Sequence, residues 1–174
     1  MTEPWLEPPC GRLVPGKPFP SYRYLPGRAP HPTRDPLGHS YAGGIEPAPR
    51  PCPLPDRWRE SEAYLYAIDL YNNGFFWEAH EEWELLWRSL TKGTPQHTFL
   101  QALIQAAAAC LKERQGAEAG ARRLAERAAR RLGHVAAGAS HLMGIDVMAF
   151  KARLKAHFEA CGAFPFLEVG PWAQ

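Results

Sequence analysis

Fifteen of the eighteen prolines fall between Pro4 and Pro55, and this distribution limits what the first third of the chain can become. Proline carries no backbone N–H and disfavours helix in the residue before it. Pro-x-Pro spacing recurs at Pro18/Pro20, Pro30/Pro32, Pro47/Pro49 and Pro51/Pro53/Pro55. Neither a helix nor an inner strand tolerates that density, so residues 1–55 read as an irregular arm. It is not purely polar: Trp5, Leu6, Leu13, Phe19, Tyr22, Tyr24, Leu25 and Tyr41 could lie along the rest of the chain or along a partner. A docked arm and a free tail both fit, and a proline-motif ligand for a partner domain is a further use.

From Asp56 onward only Pro95, Pro165 and Pro171 remain, and helical periodicity takes over. Tyr64, Leu65, Ile68 and Tyr71 mark a first helix from Asp56, its cap, to Asn72, stopped by Asn73-Gly74. A second follows almost at once and ends near Leu90, and so short a link favours antiparallel neighbours. Thr94 as cap and Pro95 at the first helical position open a third, running to Gln115. It is apolar nearly all round from Phe99 to Leu111 and is therefore expected at the centre. A fourth spans Ala117 to Leu132, with Ala121, Leu124, Ala125, Ala128 and Leu132 inside. Arg122, Arg123, Arg127, Arg130 and Arg131 lie outside, and Gly133 closes it. Asp146 caps a fifth, Val147 to Ala160, ended by Gly162. The tail from Ala163, with Phe164, Phe166 and Trp172, packs back as irregular chain. No alternating strand pattern appears after residue 56. The fold expected is all-α, a compact bundle of about five helices over residues 56–174 behind the proline-rich arm.

The second helix contains the one stretch that suggests a site, Phe75 to Arg88. At about 100° per residue, Phe76, Ala79, Trp83, Leu86 and Trp87 share one side. Glu78 and Glu82 fall opposite, toward solvent. His80 and Glu84, one turn apart, sit at the edge of the tryptophan stripe, with Glu81 further round. Polar groups placed there need partners. Gln101 and Gln105, also one turn apart on the third helix, are the nearest in prospect.

The Asn73-Gly74 turn followed by Phe76-Trp77-Glu78-Ala79-His80-Glu81, then Glu84 and Trp87, resembles the domain of unknown function 309 family. Leu100-Gln101-Ala102-Leu103-Ile104-Gln105 and Gly144-Ile145-Asp146 resemble later motifs of that family, and the likeness extends over roughly residues 56 to 160. It implies a small all-α bundle of bacterial or archaeal cytoplasm, with a dimer as one form and no established activity.

Three readings of function follow. The first is a non-catalytic module for self-association or a protein partner, in which His80, Glu81, Glu84, Gln101 and Gln105 form a buried polar cluster that fixes helix register. The second is a metal-dependent or acid–base enzyme using His80, Glu81 and Glu84. Helical bundles build metal sites from inward Glu and His, yet His-Glu-x-x-Glu lacks the second histidine of the zincin motif. A fuller shell would need His157, His97 or a second subunit, and a divalent metal is the one cofactor in view. The third, weaker reading is nucleic-acid binding through Arg123, Arg127 and Arg130. A formal net charge of +2 is too small to argue for nucleic acid or an anionic membrane by itself. Cys10, Cys52, Cys110 and Cys161 are scattered and read as reduced thiols. With no apolar run of spanning length and no basic, apolar leader, the expected location is the cytoplasm. Ser40, Ser61, Ser89 and Ser140 have no nucleophile context.

Overall fold

A computed structural model describes residue 8 and residues 11–170; the expectations for Trp5, Leu6, Cys10 and Trp172 lie outside them. Among the described residues five α-helices carry the fold: α1 (Glu62–Asn72), α2 (Phe76–Trp87), α3 (Pro95–Arg114), α4 (Glu118–Ala136) and α5 (Val147–Ala160). Each of α1 to α4 packs on the helix that follows it in the chain, so α3 lies between α2 and α4. Phe99, Leu100, Leu103, Ala106, Ala107 and Cys110 of α3 are fully buried. Trp83, Tyr71 and Phe150 complete the centre of the core. No helix is long and apolar enough to cross a membrane among the described residues.

The caps explain where three helices begin. Thr94 accepts a hydrogen bond from His97 N ahead of Pro95, and Asp146 accepts one from Ala149 N. Both satisfy amides that a helix start leaves free. The first helix departs from expectation. Residues Pro55–Glu60 form a 3-10 turn, and Ser61, accepting from Tyr64 N, caps α1. Trp58 is buried by that turn. At its far end α2 stops at Trp87, and Leu90 is reached through turn-type bonds from Ser89 N and Leu90 N to the carbonyls of Leu86 and Trp87.

Gly133 does not end α4. The helix continues to Ala136, because Leu132 and Val135 both bury their side chains and this outweighs the roughly 1 kcal/mol that a glycine costs inside a helix. Arg131 does not join the solvent face either. It turns inward to α3, while Arg122, Arg123, Arg127 and Arg130 are exposed. A two-residue antiparallel pairing, β1 (His141–Leu142) with β2 (Ile145–Asp146), precedes α5. No alternation announces it, because its turn, Met143-Gly144, takes positive φ at both positions (49° and 79°) and closes the hairpin in two residues. The turn at the end of α5 likewise takes its left-handed conformation at Cys161 (φ 51°), one residue before Gly162. Asn72 then ties down the tail, donating to Leu167 O and accepting from Leu167 N at 2.8 and 2.9 Å.

The arm lies along α1 and α2 without regular structure. Two buried carboxylates bind its backbone. Asp69 accepts from Leu13 N and Val14 N, each at 2.8 Å, and Glu78 accepts from Tyr24 N at 2.9 Å. Phe19 stacks on Phe75 with ring centroids 4.8 Å apart, and Tyr66 Oη donates to Pro18 O at 2.7 Å. Arg50 donates its backbone N–H to Leu85 O and its guanidinium to Glu82. The side of α2 facing away from the bundle is therefore an interface. Glu78 is 5% exposed and carries His39 Nε2 at 3.0 Å on the same oxygen, so its assignment to solvent is corrected.

Candidate metal centre

Residues His80, Glu81 and Glu84 project from α2 into one cavity of about 500 Å³. One wall is helix, with Trp77, Leu85 and Arg88; the other is the arm, with His31, Thr33, Arg34 and the segment 44–47. The arm, which sequence reading left outside the site, thus makes half of it. Trp77 is fixed between the two walls: Tyr24 and His31 each meet its indole edge-on at 5.4 Å.

The orientation of His80 is set by the helix itself. Nδ1 lies 2.7 Å from Trp77 O, a carbonyl that can only accept, so Nδ1 carries a proton. The free nitrogen, Nε2, faces Glu81 Oε1 at 3.3 Å and Glu84 Oε2 at 3.9 Å. A neutral imidazole would present a lone pair to two carboxylates. That arrangement is unfavourable unless a cation, a proton or a metal ion, sits between them. One ligand atom from each of the three residues lies within 4.8 Å of the others, and among the described residues no other His, Cys, Asp and Glu side chains form such a group. Donors held about 2.0–2.2 Å from a tetrahedral ion lie roughly 3.4 Å from one another, which the two His80 separations approach.

The electrostatics agree. Burial pushes the Glu81 carboxyl above its ordinary range; neighbouring His80 opposes this, Glu84 and Glu46 add to it, and Arg88 offsets part. Glu84 is shared with Arg88, Nη2 to Oε1 at 3.1 Å. All three candidate ligands keep some solvent contact, from 21% of the side chain at His80 to 38% at Glu81, so an ion would have access.

The amides of α3 are not part of this site. Gln101 Oε1 accepts from Arg131 Nε at 3.0 Å and Gln105 Oε1 from Arg131 Nη1 at 3.1 Å. One guanidinium fork from α4 thus takes both amides. The five-residue cluster expected from the sequence is two separate groups: His80, Glu81 and Glu84 on the arm side of α2, and Gln101 and Gln105 between α3 and α4. His157 and His97 do not supply the missing ligand. His157 contacts Glu113 Oε2 and Gly162 O, both at 3.0 Å, and its pKa is raised chiefly by the Glu113 bond. His97 stacks on Trp87 at 4.9 Å. The residues the sequence did not single out are His31, Arg34 and Glu46 on the arm and Arg88 on α2. Nothing in local periodicity marks an arm residue as a site wall, because its position depends on how the arm docks.

No curated protein matches the chain. Residues 64–124 match the family model described as "Domain of unknown function (DUF309)". The matched stretch spans His80, Glu81, Glu84, Gln101 and Gln105 and is shorter than the 56–160 over which the motif likeness extends. Over this helical segment, which holds His80, Glu81 and Glu84, the chain is similar to the DUF309 family.

Proposed function

We propose that the protein is a metal-dependent helical domain that holds one divalent ion on His80, Glu81 and Glu84. The observation that carries this reading is His80 Nε2, oriented by the bond from Nδ1 to Trp77 O and aimed at two carboxylates across an open cavity. Three protein ligands leave coordination positions toward the cavity, the pattern of catalytic rather than structural sites. A bound divalent ion would act as a Lewis acid and lower the pKa of a coordinated water. The chain's own residues would orient the ligands, with Trp77 O fixing the imidazole and Arg88 steadying Glu84. The nitrogen and carboxylate donor set suits zinc, manganese or iron.

Gln101 and Gln105, which the structural reading of the cluster pairs with His80 and Glu84, bond to Arg131 instead. The large exposed apolar side chains are Leu37, Tyr41, Ile45 and Leu54 on the arm and Met148 on α5, among the described residues.

Titrating cobalt(II) or zinc into metal-stripped protein tests the proposal. Binding of about one ion per chain is expected. His80→Ala should lose more than the 10- to 100-fold typical of outer-shell changes while keeping its helical circular dichroism. Failure of the wild-type protein to bind either ion would leave a proton rather than a metal between the three side chains and reject the reading.

A further inference from the structure

Resting on that metal reading, we infer that the cavity takes a small oxyanion, a phosphate or phosphate monoester, held between the ion and Arg34. The two walls differ in charge. The helix wall carries Glu81 and Glu84, the candidate ligands, with Arg88 already engaged by Glu84 at 3.1 Å. The arm wall carries Arg34 and His31, with Glu46 beside them. No carboxylate pairs with the Arg34 guanidinium among the described residues, in contrast to Arg50, Arg57, Arg88 and Arg153, each of which has one.

His31 is set up as a neutral donor. Its Nδ1 accepts from Thr33 N at 3.3 Å and lies 3.4 Å from Thr33 Oγ1, which leaves the ring proton on Nε2. Burial lowers its pKa, and the Arg34 charge lowers it further. The arm wall therefore offers a forked guanidinium and an imidazole N–H, both donors, opposite a helix wall of acceptors. Among the charged lining residues, Arg34 and Arg88 against Glu46, Glu81 and Glu84 sum to −1, and a divalent ion turns that to +1. The metal-loaded cavity is thus cationic and ready for an anion. A guanidinium matches the paired oxygens of phosphate in a way a point charge does not. The volume of about 500 Å³ admits a phosphate with a small organic body.

The arrangement also assigns Arg34 a role separate from metal binding, which makes the inference testable apart from the site it depends on. Cobalt(II) serves as the ion, because its visible absorption reports both its own binding and a change in its ligands. Inorganic phosphate is titrated into the cobalt-loaded full-length protein. Wild type is expected to show a saturable spectral change. Arg34→Ala should bind cobalt as tightly as wild type but phosphate about tenfold or more weakly, the loss expected for a charge-assisted contact. Arg34→Lys, which keeps the charge and loses the fork, should fall between them. Phosphate binding equal in wild type and Arg34→Ala, or no spectral response to phosphate in a protein that does bind cobalt, would overturn the inference and leave the metal reading intact. No cobalt binding at all would overturn both.

Discussion

On α2, Glu78 and Glu82 occupy the same side of the helix one turn apart, and helical periodicity treats them alike. The structure does not. Glu78 accepts from Tyr24 N and His39 Nε2 in a buried position, whereas Glu82 meets Arg50 with a fifth of its side chain exposed. Truncating a buried acceptor leaves its donors unsatisfied, at about 1–3 kcal/mol per group, while partly exposed ion pairs contribute about 1 kcal/mol or less. Glu78→Ala should therefore lower the unfolding free energy by about 2–4 kcal/mol and Glu82→Ala by no more than about 1 kcal/mol, measured by urea denaturation. Equal losses would refute the distinction. Glu81 carries a pH signature. Burial holds its proton above the ordinary value of 4.5, and a metal ion must displace that proton. Metal affinity should thus begin to fall, as pH drops, above the ordinary carboxylate range. The sign for the metal-free fold is the reverse: an acid whose folded pKa is raised loses stability as pH rises from its unfolded value through the folded one. Glu81→Gln should flatten the dependence of the metal-free fold, followed by denaturation of stripped protein. It should only reduce that of metal affinity, followed by metal titration across pH, because His80 Nε2 must also be free of a proton to bind the ion.

At the scale of elements, two glycines have opposite consequences. Gly144 closes the β1–β2 turn at φ 79°, and a Cβ there would stand 2.4 Å from Cζ2 of Trp58. The left-handed conformation costs a non-glycine residue roughly 1–2 kcal/mol and the overlap with a buried ring about 1–3 kcal/mol more. Gly144→Ala should therefore destabilise by about 2–5 kcal/mol, read as a drop in melting temperature. Gly133 lies inside α4, where a Cβ would meet only the far end of the Lys151 side chain, Nζ at 3.0 Å. That end can swing aside, so Gly133→Ala should raise stability by up to about 1 kcal/mol through helix propensity. A loss there would mean that α4 and α5 approach too closely at this point for a methyl group.

For the whole molecule, the arm is the decisive element. It covers Phe75, Tyr66, Asp69 and Glu78 and forms one wall of the cavity. A chain lacking residues 1–54 should bind a hydrophobic dye and unfold at distinctly lower urea than the intact chain, because its α1–α2 face would expose apolar rings and two carboxylates stripped of their backbone donors. An unchanged midpoint would show that the arm contributes nothing to the fold. The sequence by itself determined the helices and their order, since a 3.6-residue period, caps such as Thr94 and Asp146, and the glycine at position 74 act within a few residues of one another. It also marked His80, Glu81 and Glu84, because one turn of helix is enough to bring them together. Whether Glu78 meets water or His39, whether Gln101 faces His80 or Arg131, and which wall encloses the candidate ligands depend on contacts between residues 26 to 54 positions apart. Only the packing of arm and helices decided those, because a side chain's partner across such a separation is chosen by burial and charge in the assembled fold and leaves no local period behind.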